Sequence, residues 1–153
     1  MGCKENEYLV NNTNRPDWMR EEALGNLVRD GCVDALFRLV NNTNRPDWIR
    51  NAALEAICAF AHLGNVSQSA SFSKITIGGK SVSSTSINVR VASISGTAAE
   101  YLYKLANDTN RPDRMRRIAV ETLVTIRHST YCLKIADNSN RPDWMRKLAM
   151  KGL

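Results

Sequence analysis

The eight residues NNTNRPDW at 41–48 decide how this chain folds. The same eight stand at 11–18, and looser copies, NDTNRPDR and DNSNRPDW, stand at 107–114 and 137–144. Asn14, Asn44, Asn110 and Asn140 mark one position in each copy, at spacings of 30, 66 and 30 residues. The middle spacing is one 30-residue unit plus an insertion of about 36 residues, near 61–96. A fixed period in this range is the signature of stacked structural repeats.

Outward from the phrase, each unit reads as two helices. Asn14 has the chemistry of an N-cap, and Asp17, three residues on, can close a capping-box-like turn. Pro16 falls in the first turn, where its missing N–H costs nothing, and Asp17 suits the positive helix end. Met19, Ala23, Leu24, Leu27 and Val28 then follow at helical spacing and give one apolar face. Asp30-Gly31 breaks the run. A shorter helix is expected over 33–40, stopped by Asn41-Asn42 in a left-handed C-cap. The repeated phrase is therefore read as a joint, which ends one helix and starts the next. Columns through the units agree. Ala23, Ala53, Ala119 and Ala149 align as a close-packing position. Leu27, Ile57, Leu123 and Leu153 align as core, as do Leu9, Leu39, Leu105 and Ile135.

With the apolar-Arg pairs Met19-Arg20, Ile49-Arg50, Met115-Arg116 and Met145-Arg146, the stretch PDWMREEALGNLVRDGCVDALFRLV resembles the short, 30-residue type of HEAT-like repeat. That type also occurs in phycobilin lyases. The resemblance covers about 1–60 and 97–153. It implies an all-α superhelix, or solenoid, with first helices on the convex side and second helices on the concave side. It also implies a role in holding another macromolecule. The family's usual Asp would fall where Pro16 stands, so its inter-repeat Asp–Arg ladder is not carried over.

The totals bound the reading further. A chain of 153 residues suits one domain, here 1–153, and 43% apolar with 24% charged residues is ordinary for a globular protein. No apolar run nears the roughly 18 residues of a membrane span. The first ten residues, MGCKENEYLV, hold no apolar signal core. Cys3, Cys32, Cys58 and Cys132 show no CxxC spacing, so free thiols in a cytoplasmic location are expected. Net charge is +6, and all of the excess lies beyond residue 100, around RMRR at 114–117. Such asymmetry points to an acidic or nucleic-acid partner.

Residues 61–96 change composition abruptly, with ten serines. Ile75 and Ile77 alternate with polar residues, Gly78-Gly79 is a turn signal, and Ile87, Val89 and Val91 alternate again. A β-hairpin or a Ser-rich loop fits this pattern.

Three columns are candidates for partner binding. The first is Trp18, Trp48, Arg114 and Trp144, which either grips a ligand or packs over the joints. The second is Arg38, Lys104 and Lys134 on the second helices, near Tyr8, Phe37, Tyr101, Tyr103 and Tyr131. It suits an acidic strip or nucleic acid, and equally suits the helix macrodipole. The third is Arg114, Arg116 and Arg117 as phosphate contacts. Arg20, Arg50, Arg116 and Arg146 recur in every unit, which points to architecture. His62 and His128 lack any metal or catalytic spacing, and no nucleophile motif stands out. The sequence thus predicts no catalytic, metal or cofactor site. It predicts a scaffold for another protein, or alternatively a nucleic-acid-binding module using the basic last third. The last helix, with Leu148, Met150 and Leu153, is expected to pair with a second copy.

Overall fold

The computed structural model describes residues 2–65, 72–77, 80–84 and 91–153. Eight α-helices carry most of them: α1 (Cys3–Asn11), α2 (Asp17–Arg29), α3 (Val33–Asn41), α4 (Asp47–His62), α5 (Val91–Asn107), α6 (Asp113–Thr125), α7 (Ser129–Ala136) and α8 (Asp143–Met150). The fold is helical, with two short strands, β1 (Phe72–Ile77) and β2 (Lys80–Ser84), between α4 and α5.

Each copy of the repeated phrase builds the same turn. The Asn12 side-chain oxygen accepts the Asn14 backbone N–H at 3.0 Å, and Asn42, Asp108 and Asn138 do the same for Asn44, Asn110 and Asn140. The side chain two residues back thus supplies an Asx turn. Asn14 is not the N-cap expected from the sequence. Pro16 holds that position, extended at φ −67° and ψ 154°, and its carbonyl accepts the first helical bond from Arg20. Proline's fixed φ is compatible with this extended entry, which leaves Asp17 at the positive helix end. The left-handed C-cap expected at Asn42 is also absent. Asn42 is extended at φ −84° and ψ 97°, and its N–H returns to the Leu39 carbonyl.

The recurrent arginine ties together the two helices at each joint. Arg20 donates through Nε to the Val10 carbonyl at 2.8 Å, and Arg50 to Val40 at 2.9 Å. Arg116 donates to Ala106 at 2.9 Å and Arg146 to Ala136 at 2.8 Å. Each bond spans ten residues and places a cation on the unpaired carbonyls at a helix C-terminus.

At the other end of the hairpin, Gly31 turns α2 into α3 at φ +68°, and Arg127 turns α6 into α7 at φ +57°. In both turns the residue after the left-handed one donates back to the α-helix, Cys32 to Leu27 and His128 to Leu123. This is the Schellman pattern that closes a helix.

Packing follows from the repeat. Helices α1 and α2, α3 and α4, α5 and α6, and α7 and α8 lie side by side. Across units, α1 neighbours α3, α3 neighbours α5, and α2, α4, α6 and α8 follow one another. The core runs along the seam between the odd and even helices, with Leu24, Leu27, Leu36, Ile57, Phe60 and Leu102 fully enclosed. The alanine column is buried throughout. Leu27, Ile57 and Leu123 are enclosed, but the aligned Leu153 is 51% exposed, contrary to the core position expected for it.

The insertion is narrower than expected, because α4 runs to His62 and α5 begins at Val91. The antiparallel pairs Ile75–Val82, Thr76–Ser81 and Ile77–Lys80 set the strand register. The second strand is therefore Lys80–Ser84, and Val91, expected in a strand, starts a helix. The Gly78-Gly79 turn signal, Ile87 and Val89 lie outside the described residues.

Two of the cysteines depart from the free-thiol expectation. Cys3 and Cys32 form a disulfide that ties the start of α1 to the turn before α3. Their separation of 29 residues is about one repeat, so the bond joins neighbouring units.

Candidate partner-binding face

The odd helices bring the second column of candidates together. The Phe37 and Tyr101 rings stack with centroids 4.0 Å apart, and Tyr103 stacks on Tyr131 at 4.5 Å. His128 covers the other side of Tyr131 at 4.1 Å. The repeat causes this. A ring on one odd helix meets a ring two positions earlier in the next unit, since α3, α5 and α7 lie in register.

The cations of the column lie on the same strip. The Arg38 guanidinium forms a two-bond ion pair with Glu7, each N···O at 2.8 Å, and this bond favours its charged form. Lys104 stands 5.4 Å from the Tyr101 ring centre and 3.5 Å from Glu100. Lys134 lies 5.9 Å from the Tyr103 ring centre and 5.8 Å from that of Tyr131. The Tyr101 hydroxyl donates to Asp34, and burial together with that bond pushes its pKa up to about 12. Tyr8, on α1, is 64% exposed.

The tryptophan column is placed differently. It runs along the even helices, where Trp144 and Arg114 lean on the unit before them. The Arg117 guanidinium covers Trp144 at 4.6 Å, and Arg114 donates to Asn51 at 3.0 Å. Trp48 and Trp144 are half-buried, whereas Trp18 is 60% exposed. The column and the odd-helix strip therefore do not form one site.

The phosphate candidates are not equivalent. Arg116 is buried, bonded to Ala106 and 3.9 Å from Asp113, which removes it from any outside contact. Arg114 and Arg117 are exposed, each already engaged with a neighbour.

Among the described residues, no group of three or more His, Cys, Asp or Glu side chains could hold a metal ion. His62 is exposed, and His128 spends Nδ1 on the Tyr131 backbone N–H at 3.3 Å. Burial pushes the Cys58 thiol up to about 11 and raises the Cys132 thiol, so neither is poised as a thiolate. No described helix is long and apolar enough to cross a membrane.

Sequence reasoning missed two features here, the disulfide and the ring-on-ring stacking. The period could have disclosed the stacking, because Phe37 and Tyr103 occupy one column and Tyr101 and Tyr131 the column two places earlier. No known family model, characterised protein or solved structure matches the chain.

Proposed function

We propose that this chain is a HEAT-like repeat module, a short α-superhelix that holds another protein without catalysing a reaction. The observation that carries this reading is the strip on α3, α5 and α7, where stacked aromatics are edged by Arg38, Lys104 and Lys134. A rigid aromatic row with cations at its margin suits the anchoring part of a protein interface. The common arginine–carbonyl bond at every joint supports the superhelix reading.

Nucleic acid has less support. Bases bind such rows by stacking on free ring faces. Here Phe37, Tyr101, Tyr103 and Tyr131 already stack on one another, and Arg116 is enclosed. The cytoplasmic location expected from free thiols loses that support, because the Cys3–Cys32 bond weighs against a strongly reducing compartment.

Site-specific photo-crosslinking tests the reading. A crosslinker at Glu100, 3.5 Å from Lys104, should capture one defined protein other than a second copy in the presence of nuclease, and Lys104→Glu should abolish that capture. Equal capture from Glu55, exposed on α4, or recovery of nucleic acid alone, would sink the proposal.

A further inference from the structure

Three contacts recur between neighbouring units, and each has an unmatched donor side and an unmatched acceptor side. In the first, the joint arginine reaches back to the carbonyl that ends the previous odd helix. Arg45 donates to Asn11 at 2.8 Å, Arg111 to Asn41 at 3.3 Å, and Arg141 to Asn107 at 3.3 Å. Arg15 is the same residue in the 11–18 joint. It is exposed and shows no side-chain partner among the described residues, and the matching acceptor position is the Asp137 carbonyl.

The second contact joins the even helices. At two of the three junctions the residue in the tryptophan column leans on the residue three places further along the previous even helix, Trp144 on Arg117 and Arg114 on Asn51. In this register the unmatched pair is Trp18, 60% exposed, and Lys147, also exposed. The third contact joins the odd helices. At two of the three junctions, Arg38 pairs with Glu7 and Lys134 covers Tyr103, each reaching 31 positions back, while Lys104 lies over Tyr101 of its own helix. The unmatched pair is then Tyr8 and Leu133, both largely exposed.

We propose that the α1–α2 face of one copy docks on the α7–α8 face of a second copy, in the register the repeats use internally. Arg15 then meets the Asp137 carbonyl, Trp18 meets Lys147, and Tyr8 meets Leu133. Charge favours the match. Residues 1–30 hold four cations and six carboxylates, and residues 126–153 hold six cations and two carboxylates. The contact uses two different surfaces, so it is head-to-tail, and it grows beyond a dimer unless its rotation closes a ring. It does not depend on which partner the odd-helix strip holds.

Sedimentation velocity of the 153-residue chain, across a concentration series, tests this. The wild type should grow past the mass of a dimer. Trp18→Glu and Leu133→Glu should each be monomeric alone, with unchanged helix content and melting temperature, since both side chains are exposed. Mixed together, the two variants should form a one-to-one dimer that grows no further, because one intact interface remains between them. A wild type that stays monomeric would overturn the proposal. A dimer that persists in Trp18→Glu would overturn it too, because that pairing would be of like faces.

Discussion

Arg116 Nε donates to the Ala106 carbonyl at 2.9 Å, and the same bond, ten residues long, closes the other three joints. The geometry needs a planar donor carried on a buried stem, which lysine does not provide. Arg116→Lys should therefore destabilise the fold by about 2 kcal/mol, the scale of a hydrogen bond to a charged group. Urea denaturation reads this directly. An unchanged midpoint would show that the bond contributes nothing net.

Arg127 occupies a left-handed turn position, φ +57°, where the equivalent Gly31 of the first unit sits at φ +68°. A left-handed residue with a Cβ costs about 1 kcal/mol. Arg127→Gly should raise stability by about that amount, and Gly31→Ala should lower it. The Gly31 change carries a second penalty, because its new Cβ would come 2.8 Å from the Ile94 Cδ1 methyl. Thermal melts of the pair should move in opposite directions.

Cys3 and Cys32 join neighbouring units. Reduction should lower stability by about 3 kcal/mol, the usual scale for closing a loop of this kind. Cys3→Ser should melt at the temperature of the reduced wild type and should show no response to dithiothreitol. A wild type indifferent to reductant would refute the bond's contribution.

Alkaline pH should weaken the fold through Cys58. Burial holds its pKa up at about 11 in the folded chain, against an ordinary value of about 8.5 when unfolded. Below that ordinary value both states keep the proton, and stability is unaffected. As pH rises toward 11 the unfolded chain gives up a proton that the folded chain retains, so stability falls. The slope approaches about 1.4 kcal/mol per pH unit. Tyr101, raised to about 12, extends the loss further. Cys58→Ala should flatten the fall between pH 9 and 11 in equilibrium melts, with about those limits set by the ordinary and raised values.

The helices were legible in the sequence because the period and the apolar face are properties of the chain itself. Ala23, Ala53, Ala119 and Ala149 could be aligned by eye, and all four are buried. The capping chemistry was not legible at the same level. Asn14 has the composition of an N-cap, but Asn12 competes for its backbone through an Asx turn, and Pro16 enters the helix instead. The disulfide was hidden for a different reason. Cys3 and Cys32 lie about one repeat apart, but whether they meet depends on where each sits on its unit once two units stack, which the period alone does not give. The candidate face was half legible. The cations of Arg38, Lys104 and Lys134 stood out as a column, while the ring stacking beneath them depends on the offset between helices.

The Arg45, Arg111 and Arg141 ladder has a consequence for how such a chain changes length over generations. Every joint presents the same edge, an arginine facing one way and a helix-ending carbonyl facing the other. A recombination between the coding stretches for NNTNRPDW at 11–18 and at 41–48 would remove or add one whole unit. The two cut edges would then rejoin as a contact the protein already makes. The chain can gain or lose 30 residues at a step without a new core having to be invented.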